Sequence, residues 1–95
     1  MKTIVVLNDS DNVATCLIDL EPQATVEVLL DGGPTSITVR DTIAFGHKIA
    51  IRPMQLGTKV LKYGEVIGRA SQPIAPGEWV HIHNVESARA RGDME

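Results

Sequence analysis

Hydrophobic residues along this chain come in short runs, either alternating with polar residues or adjacent for four or five positions, and every run is soon cut by Gly, Pro, Asn or Asp. Most runs are rich in β-branched residues and bounded by turn formers, the pattern of short strands. They are "TIVVLN" (3–8), "NVATCLIDL" (12–20), "ATVEVLL" (24–30), "SITVR" (36–40), "HKIAIR" (47–52), "KVLKYG" (59–64), "EVIGRA" (65–70) and "EWVHIHN" (78–84). "DGGP" (31–34) reads as a turn, and "DTIAFG" holds at most one more. No window of eleven or more residues repeats its apolar positions at helical spacing. The pattern predicts an all-β fold of many short strands, folded over at the dense turns "PMQLGT", "KYGEVIG" and "PIAPGE". Gly64 and Gly68 are expected where the chain bends or backbones approach closely. The chain reads as one domain over 1–95, with its core in 3–85 and a polar, frayed tail over 86–95. It shows no linker, no low-complexity segment and no internal repeat.

Composition narrows this picture. With 95 residues, one modest core is expected, and with only three aromatic residues (Phe45, Tyr63, Trp79) that core must be aliphatic. The net charge of −3 and the scattered Lys and Arg residues give no basic stripe, so no nucleic-acid partner is expected. Cys16 is the single cysteine, which excludes an intrachain disulfide and a thiolate-rich metal site. In "VATCLID" it reads as a small core residue rather than a nucleophile. The apolar stretch at the start is too short for a signal peptide and nothing approaches a membrane span, so a soluble, cytoplasmic protein is expected.

Candidate chemistry gathers at the histidines. Strand alternation would put Trp79, His81 and His83 on one face and Val80 and Ile82, natural core residues, on the other. Residues two apart in a strand lie about 7 Å apart, close enough for imidazoles to converge on one ion. A wet sheet face explains the same spacing. His47, after Gly46 in "GHKIAIR", is either a strand-start residue donating to a turn carbonyl or the third nitrogen of a facial ligand set. Such a set suits Fe²⁺, Mn²⁺ or Zn²⁺ with positions open for substrate. Lys48 and Lys62 could bind a carboxylate; a lysine acts as a base only where burial or a neighbouring cation lowers its pKa, and nothing local in the sequence shows this. Tyr63 could donate to a substrate or pack its ring on the backbone, and Arg40, Arg52 and Arg69 are acid-binding groups or surface cations. Asp9, Asp11 and Asp31 fall in turns, where Asp serves backbone capping. No Ser-His-Asp order, phosphate-binding glycine loop or glycosidase carboxylate pair is present.

"GHKIAI", "GTKVLKYGEVIGRA" and "IAPGEWVHIHN" together closely resemble the SAF domain that begins altronate and galactarate dehydratases and occurs as the free small subunit of two-chain relatives such as (2R)-sulfolactate sulfo-lyase. The match runs from Gly46 to Asn84, about 40 of the 95 residues, and is looser over the N-terminal half. The resemblance implies the β-clip fold and a lyase that eliminates water or sulfite from a sugar acid or short 2-hydroxy acid, often with divalent iron. It further implies a large partner subunit carrying most of the substrate site, this chain being inactive alone. His47 matches the Gly-His-Lys element, while His81, His83 and Asn84 match the His-x-His-Asn ending. The galactarate branch keeps the first element and lacks the second, which ranks His47 first and His83 next. On this basis His47, Lys48 and Tyr63 are expected as catalytic residues, and Lys62 and Asn84 as substrate-binding residues. His47, His81 and His83 are expected as metal ligands shared with the partner. A non-catalytic binding module for a sugar acid or a protein is the competing expectation.

Overall fold

Nearly every predicted strand forms, but most are trimmed at their ends. The computed structural model describes residues 2–87. It contains β1 (Ile4–Val5), β2 (Val13–Cys16), β3 (Thr25–Leu30), β4 (Gly33–Thr38), β5 (Lys48–Ala50), β6 (Lys59–Lys62), β7 (Glu65–Ala70), β8 (Trp79–Val80) and β9 (Val85–Ser87), with no helix among the described residues. The strands make three antiparallel sheets, ordered β1-β2-β5-β8, β3-β4 and β6-β7-β9. This is the all-β, folded-over arrangement expected of a β-clip.

Two hairpins close through two-residue turns that require positive φ. Leu30 pairs with Gly33 across Asp31 (φ 53°) and Gly32 (φ 83°), so the expected four-residue turn is only two residues long and Gly33 and Pro34 already belong to β4. Lys62 pairs with Glu65 across Tyr63 (φ 55°) and Gly64 (φ 80°). Positive φ at both central positions matches the right-handed twist of the flanking strands.

A recurrent unit, not anticipated as a repeat, organises the rest. Four segments share one pattern: Leu20–Val26, Ile43–Ile49, Met54–Val60 and Ile74–Val80. Each opens on a buried aliphatic residue or methionine and ends on a buried one six positions later. Between them lies a β-turn, at Glu21–Ala24, Ala44–His47, Gln55–Thr58 and Ala75–Glu78, closed by a hydrogen bond of 2.9–3.2 Å from the fourth N–H to the first carbonyl. The third turn residue has positive φ each time: Gln23 81°, Gly46 88°, Gly57 88° and Gly77 96°. That is the signature of a type II turn, which explains the glycines. The opening residues bridge in pairs, Leu20 with Ile43 and Met54 with Ile74.

The core divides along the same line. Leu20, Val26, Ile43 and Ile49 sit in one buried cluster with Ile4, Cys16, Ile37, Val39 and Ile51. Met54, Val60, Ile74 and Val80 sit in a second with Val13, Ala50 and Ala70. Both are aliphatic, as the composition required. β2 and β5 supply neighbouring residues to both clusters, because alternate residues of a strand face opposite sides.

Two expectations are corrected and one is met. The "EWVHIHN" run is a strand only at Trp79–Val80; His81–Asn84 is a turn, and Ile82 is 83% exposed instead of being a core residue. The frayed tail was expected from residue 86, yet Glu86 and Ser87 belong to β9, which pairs with β7; residues 88–95 lie outside the described residues. Gly68 faces β9 so closely that a Cβ would overlap the Glu86 carbonyl, so the close approach expected there is present.

Candidate functional site

His47 is placed by the second turn unit. Gly46 takes the positive φ, the His47 N–H donates to the Ala44 carbonyl at 3.0 Å, and the His47 carbonyl accepts from the Cys16 N–H at 2.8 Å. The strand-start reading therefore describes its backbone. Lys48 follows in β5, opposite Thr15 of β2 and Val80 of β8. Continuing that antiparallel register by one residue sets His47 against His81, and their ring centroids are 5.4 Å apart.

β8 stops after two residues because Asn84 captures the chain. Its Oδ1 accepts the His81 N–H at 2.9 Å and its Nδ2 donates to the Trp79 carbonyl at 2.9 Å. The His81 carbonyl accepts the Asn84 and Val85 N–H groups, closing one tight turn. Asn84 is buried and both its polar atoms hold this turn, so its position is structural and not that of the substrate-binding group expected. The turn throws Ile82 into solvent and brings His83 back against Trp79.

Trp79 is the centre of the group. Its backbone N–H donates to the Asp41 carboxylate at 2.9 Å, and its Nε1–H donates to His47 Nδ1 at 3.2 Å. His81 stacks on the indole at 4.9 Å and 11°, and His83 lies 5.1 Å away at 40°. Strand alternation had placed Trp79, His81 and His83 on one face, and they do meet, though through the turn. Partial burial, followed by the fields of His47, Lys48 and His83, pushes the His81 pKa below the usual histidine value. A neutral imidazole is the form that stacks here at neutral pH.

The expected three-nitrogen ligand set is not assembled. The histidines are arranged around an indole instead of a common point, and among the described residues no group of three or more His, Cys, Asp or Glu could hold a metal ion. The residues of this chain do not by themselves fit a metal centre.

Lys48, Lys62 and His81 instead rim a groove of about 320 Å³ floored by Ile67, Val80 and Val85, with no acidic side chain in its lining. Burial first, then the nearby charge of Lys62, lowers the Lys48 pKa. These are the two conditions that the sequence failed to show for a lysine base. The Lys62 ammonium lies 5.0 Å from the Tyr63 ring centroid. Tyr63 is itself committed to structure: its N–H donates to Asp11 Oδ2 at 2.9 Å and its hydroxyl pairs with Thr15 Oγ1 at 2.8 Å. Its hydroxyl is already partnered, and it takes a positive-φ position in the turn expected at "KYGEVIG".

The remaining charged candidates serve the fold. Asp11 is 1% exposed and caps the Tyr63 and Gly64 N–H groups, the backbone-capping role expected of it, but across the fold. Arg52 ties the Asp9 and Asp11 carbonyls to the Asp31 carboxylate, and Arg69 donates to the Gly57 carbonyl. Cys16 is fully buried and burial pushes its thiol up to about 11, which makes it an inert core residue. No helix among the described residues is long and apolar enough to cross a membrane.

Comparison with known proteins follows the same residues. Residues 2–88 match the protein family described as "Altronate/galactarate dehydratase SAF domain". Altronate dehydratase of Bacillus subtilis is 36% identical over 87 residues, 92% of this chain but 17% of that protein. The alpha subunit of (2R)-sulfolactate sulfo-lyase from Chromohalobacter salexigens is 49% identical over 51 residues, 54% of each chain. The corresponding subunit of Paracoccus pantotrophus is 34% identical over 62 residues, 65% of this chain and 92% of that one. The chain thus spans less than a fifth of the dehydratase and most or half of the two sulfo-lyase subunits.

Proposed function

The chain belongs to the altronate/galactarate dehydratase SAF domain family, and from that premise we propose that it forms the acid-binding side of a lyase active site completed by a large partner subunit. The reaction is elimination of water or sulfite from a sugar acid or short 2-hydroxy acid. One observation carries this reading: Lys48, Lys62 and His81 rim a single apolar-floored groove without an acidic side chain, and His47 stands beside His81.

In such an elimination the C–H bond beside the carboxylate breaks and its electron pair becomes the C=C bond. The neighbouring C–O or C–S bond then breaks, and the leaving group departs with its pair, as hydroxide that is protonated to water or as sulfite. Negative charge accumulates on the carboxylate as the proton comes off, so fixed cations and N–H donors aimed there lower the barrier. Lys62 binds the carboxylate as a point charge. Lys48 is the group suited to accept the proton, because its free amine form is more accessible than an ordinary lysine's. The apolar floor strengthens both interactions by limiting water.

Divalent iron, or manganese or zinc, is assigned on this reading to ligands of the large subunit, since this chain assembles no donor set, and no step above depends on it. A cytoplasmic setting is in keeping with the single reduced, buried Cys16.

The test is co-expression with the large lyase subunit of the same genome and assay of a panel of hydroxy acids and sulfolactate with Fe²⁺. Activity is expected only when both chains are present, and Lys48→Met should lower kcat at least tenfold. A pair inactive on the whole panel while this chain still binds a sugar acid would make it a binding module instead.

A further inference from the structure

We propose that Trp79 is a positioning residue that fixes His47 as its Nε2–H tautomer, so that His47 meets the bound acid as a neutral hydrogen-bond donor and not as a metal ligand. The proposal rests on the acid-binding reading above. Its tautomer component stands on separate geometry.

The indole N–H can only donate, so the atom it faces must carry a lone pair. That atom is His47 Nδ1, 3.2 Å from Trp79 Nε1. In neutral imidazole one nitrogen bears the proton and the other the lone pair, hence the proton sits on Nε2. Both partners are held independently of each other. Trp79 is pinned by the Asp41 carboxylate at its N–H, by Asn84 at its carbonyl and by the His81 stack on its ring. His47 is pinned by the Gly46 turn and by the Cys16 N–H at its carbonyl. The single lone pair of the neutral ring is thereby occupied by the indole N–H.

What remains is an N–H on the side of the imidazole away from the indole. Beside a cationic groove it supplies a donor for a carboxylate oxygen, or for the charge that grows on it as the adjacent C–H is broken. The proton stays on Nε2 throughout; the electron pair of the C–H bond enters the C=C bond as the leaving group departs. A fixed donor to developing charge is worth about 10²–10³ in rate.

The tautomer can be read on the 95-residue chain without substrate or partner. Nitrogen NMR of the His47 ring at neutral pH should show a protonated Nε2 and an unprotonated Nδ1. A scalar coupling across the hydrogen bond should join Trp79 Nε1 to His47 Nδ1. Trp79→Phe, which keeps a ring against His81 and removes the N–H, should abolish the coupling and bring the two His47 nitrogen shifts together as tautomers mix. In the assembled enzyme the same variant should lower kcat about tenfold with KM nearly unchanged. A protonated Nδ1 or an absent coupling in the wild-type chain overturns the tautomer assignment. A fixed tautomer with unchanged kcat in Trp79→Phe overturns the catalytic role, and neither result touches the lysine groove.

Discussion

Lys48 and Cys16 show at single residues how burial sets chemistry that spacing could not. Burial and the Lys62 charge both disfavour the Lys48 ammonium, so Lys62→Ala should raise the Lys48 pKa part of the way back towards about 10.4 without reaching it. NMR of the side-chain nitrogen checks this. If Lys48 accepts the substrate proton, it must be neutral, so kcat should rise with pH through a midpoint below that ordinary value, and Lys48→Met should lose the rise. The stability sign is the same: the unfolded chain binds more protons here, so stability should increase with pH between the lowered folded value and the ordinary one. Cys16 behaves oppositely. Its thiol is raised from 9.0 to about 11, so its contribution to stability is complete below the ordinary thiol value and is lost as pH rises through about 11. At pH 8 the folded chain should react with a thiol reagent far more slowly than the urea-unfolded chain. The sequence made Cys16 legible because its neighbours are apolar, but Lys48 is buried by β8 and crowded by a lysine fourteen positions away, and no local window contains that.

At the scale of elements, the fourfold turn unit explains why the strands are short. A type II turn every few positions reverses the chain before a strand can extend, and positive φ at the third residue selects glycine in three copies. Gln23 holds the same place at φ 81°, a conformation that costs a non-glycine residue about 1–2 kcal/mol. Gln23→Gly should therefore stabilise the chain by up to about 1 kcal/mol in urea unfolding, after allowing for added unfolded-state entropy. Gly77→Ala should cost at least about 2 kcal/mol, since its φ is 96° and a Cβ would overlap the Thr38 carbonyl. The repeat was half visible in the spacing of Ile43, Met54 and Ile74 ahead of their glycines; Gln23 hides the first copy. Strand ends were less legible because distant groups set them. Asn84 ends β8 from four residues beyond, and Asp11, lying between β1 and β2, caps the β6–β7 turn. Asp11→Ala leaves two N–H groups without their acceptor and should destabilise the chain by about 2–4 kcal/mol by the same measurement.

Over the whole molecule, two aliphatic clusters, each with one bridged pair of turn units, support a β5–β8 edge that carries His47, Lys48 and Trp79. Lys48 and Trp79 occupy the same place in the second and fourth units, so the repeat that builds the core also aims the site. The all-β class and the histidine face were readable because alternation and turn chemistry are local. The groove was not, since Lys62, Ile67 and Val85 reach it from a different sheet. The indole between the histidines was equally out of reach of spacing, and it keeps them from forming a complete ligand set within the described residues of this chain. The central claim, that this groove receives the acid, is tested most directly by the KM of the assembled lyase with Lys62→Ala. Loss of a charged hydrogen bond to the carboxylate, about 1.5–3 kcal/mol, should raise KM roughly 10–100-fold, and kcat at neutral pH should fall as well because the Lys48 pKa moves back up. A KM equal to that of the wild-type enzyme would contradict the account.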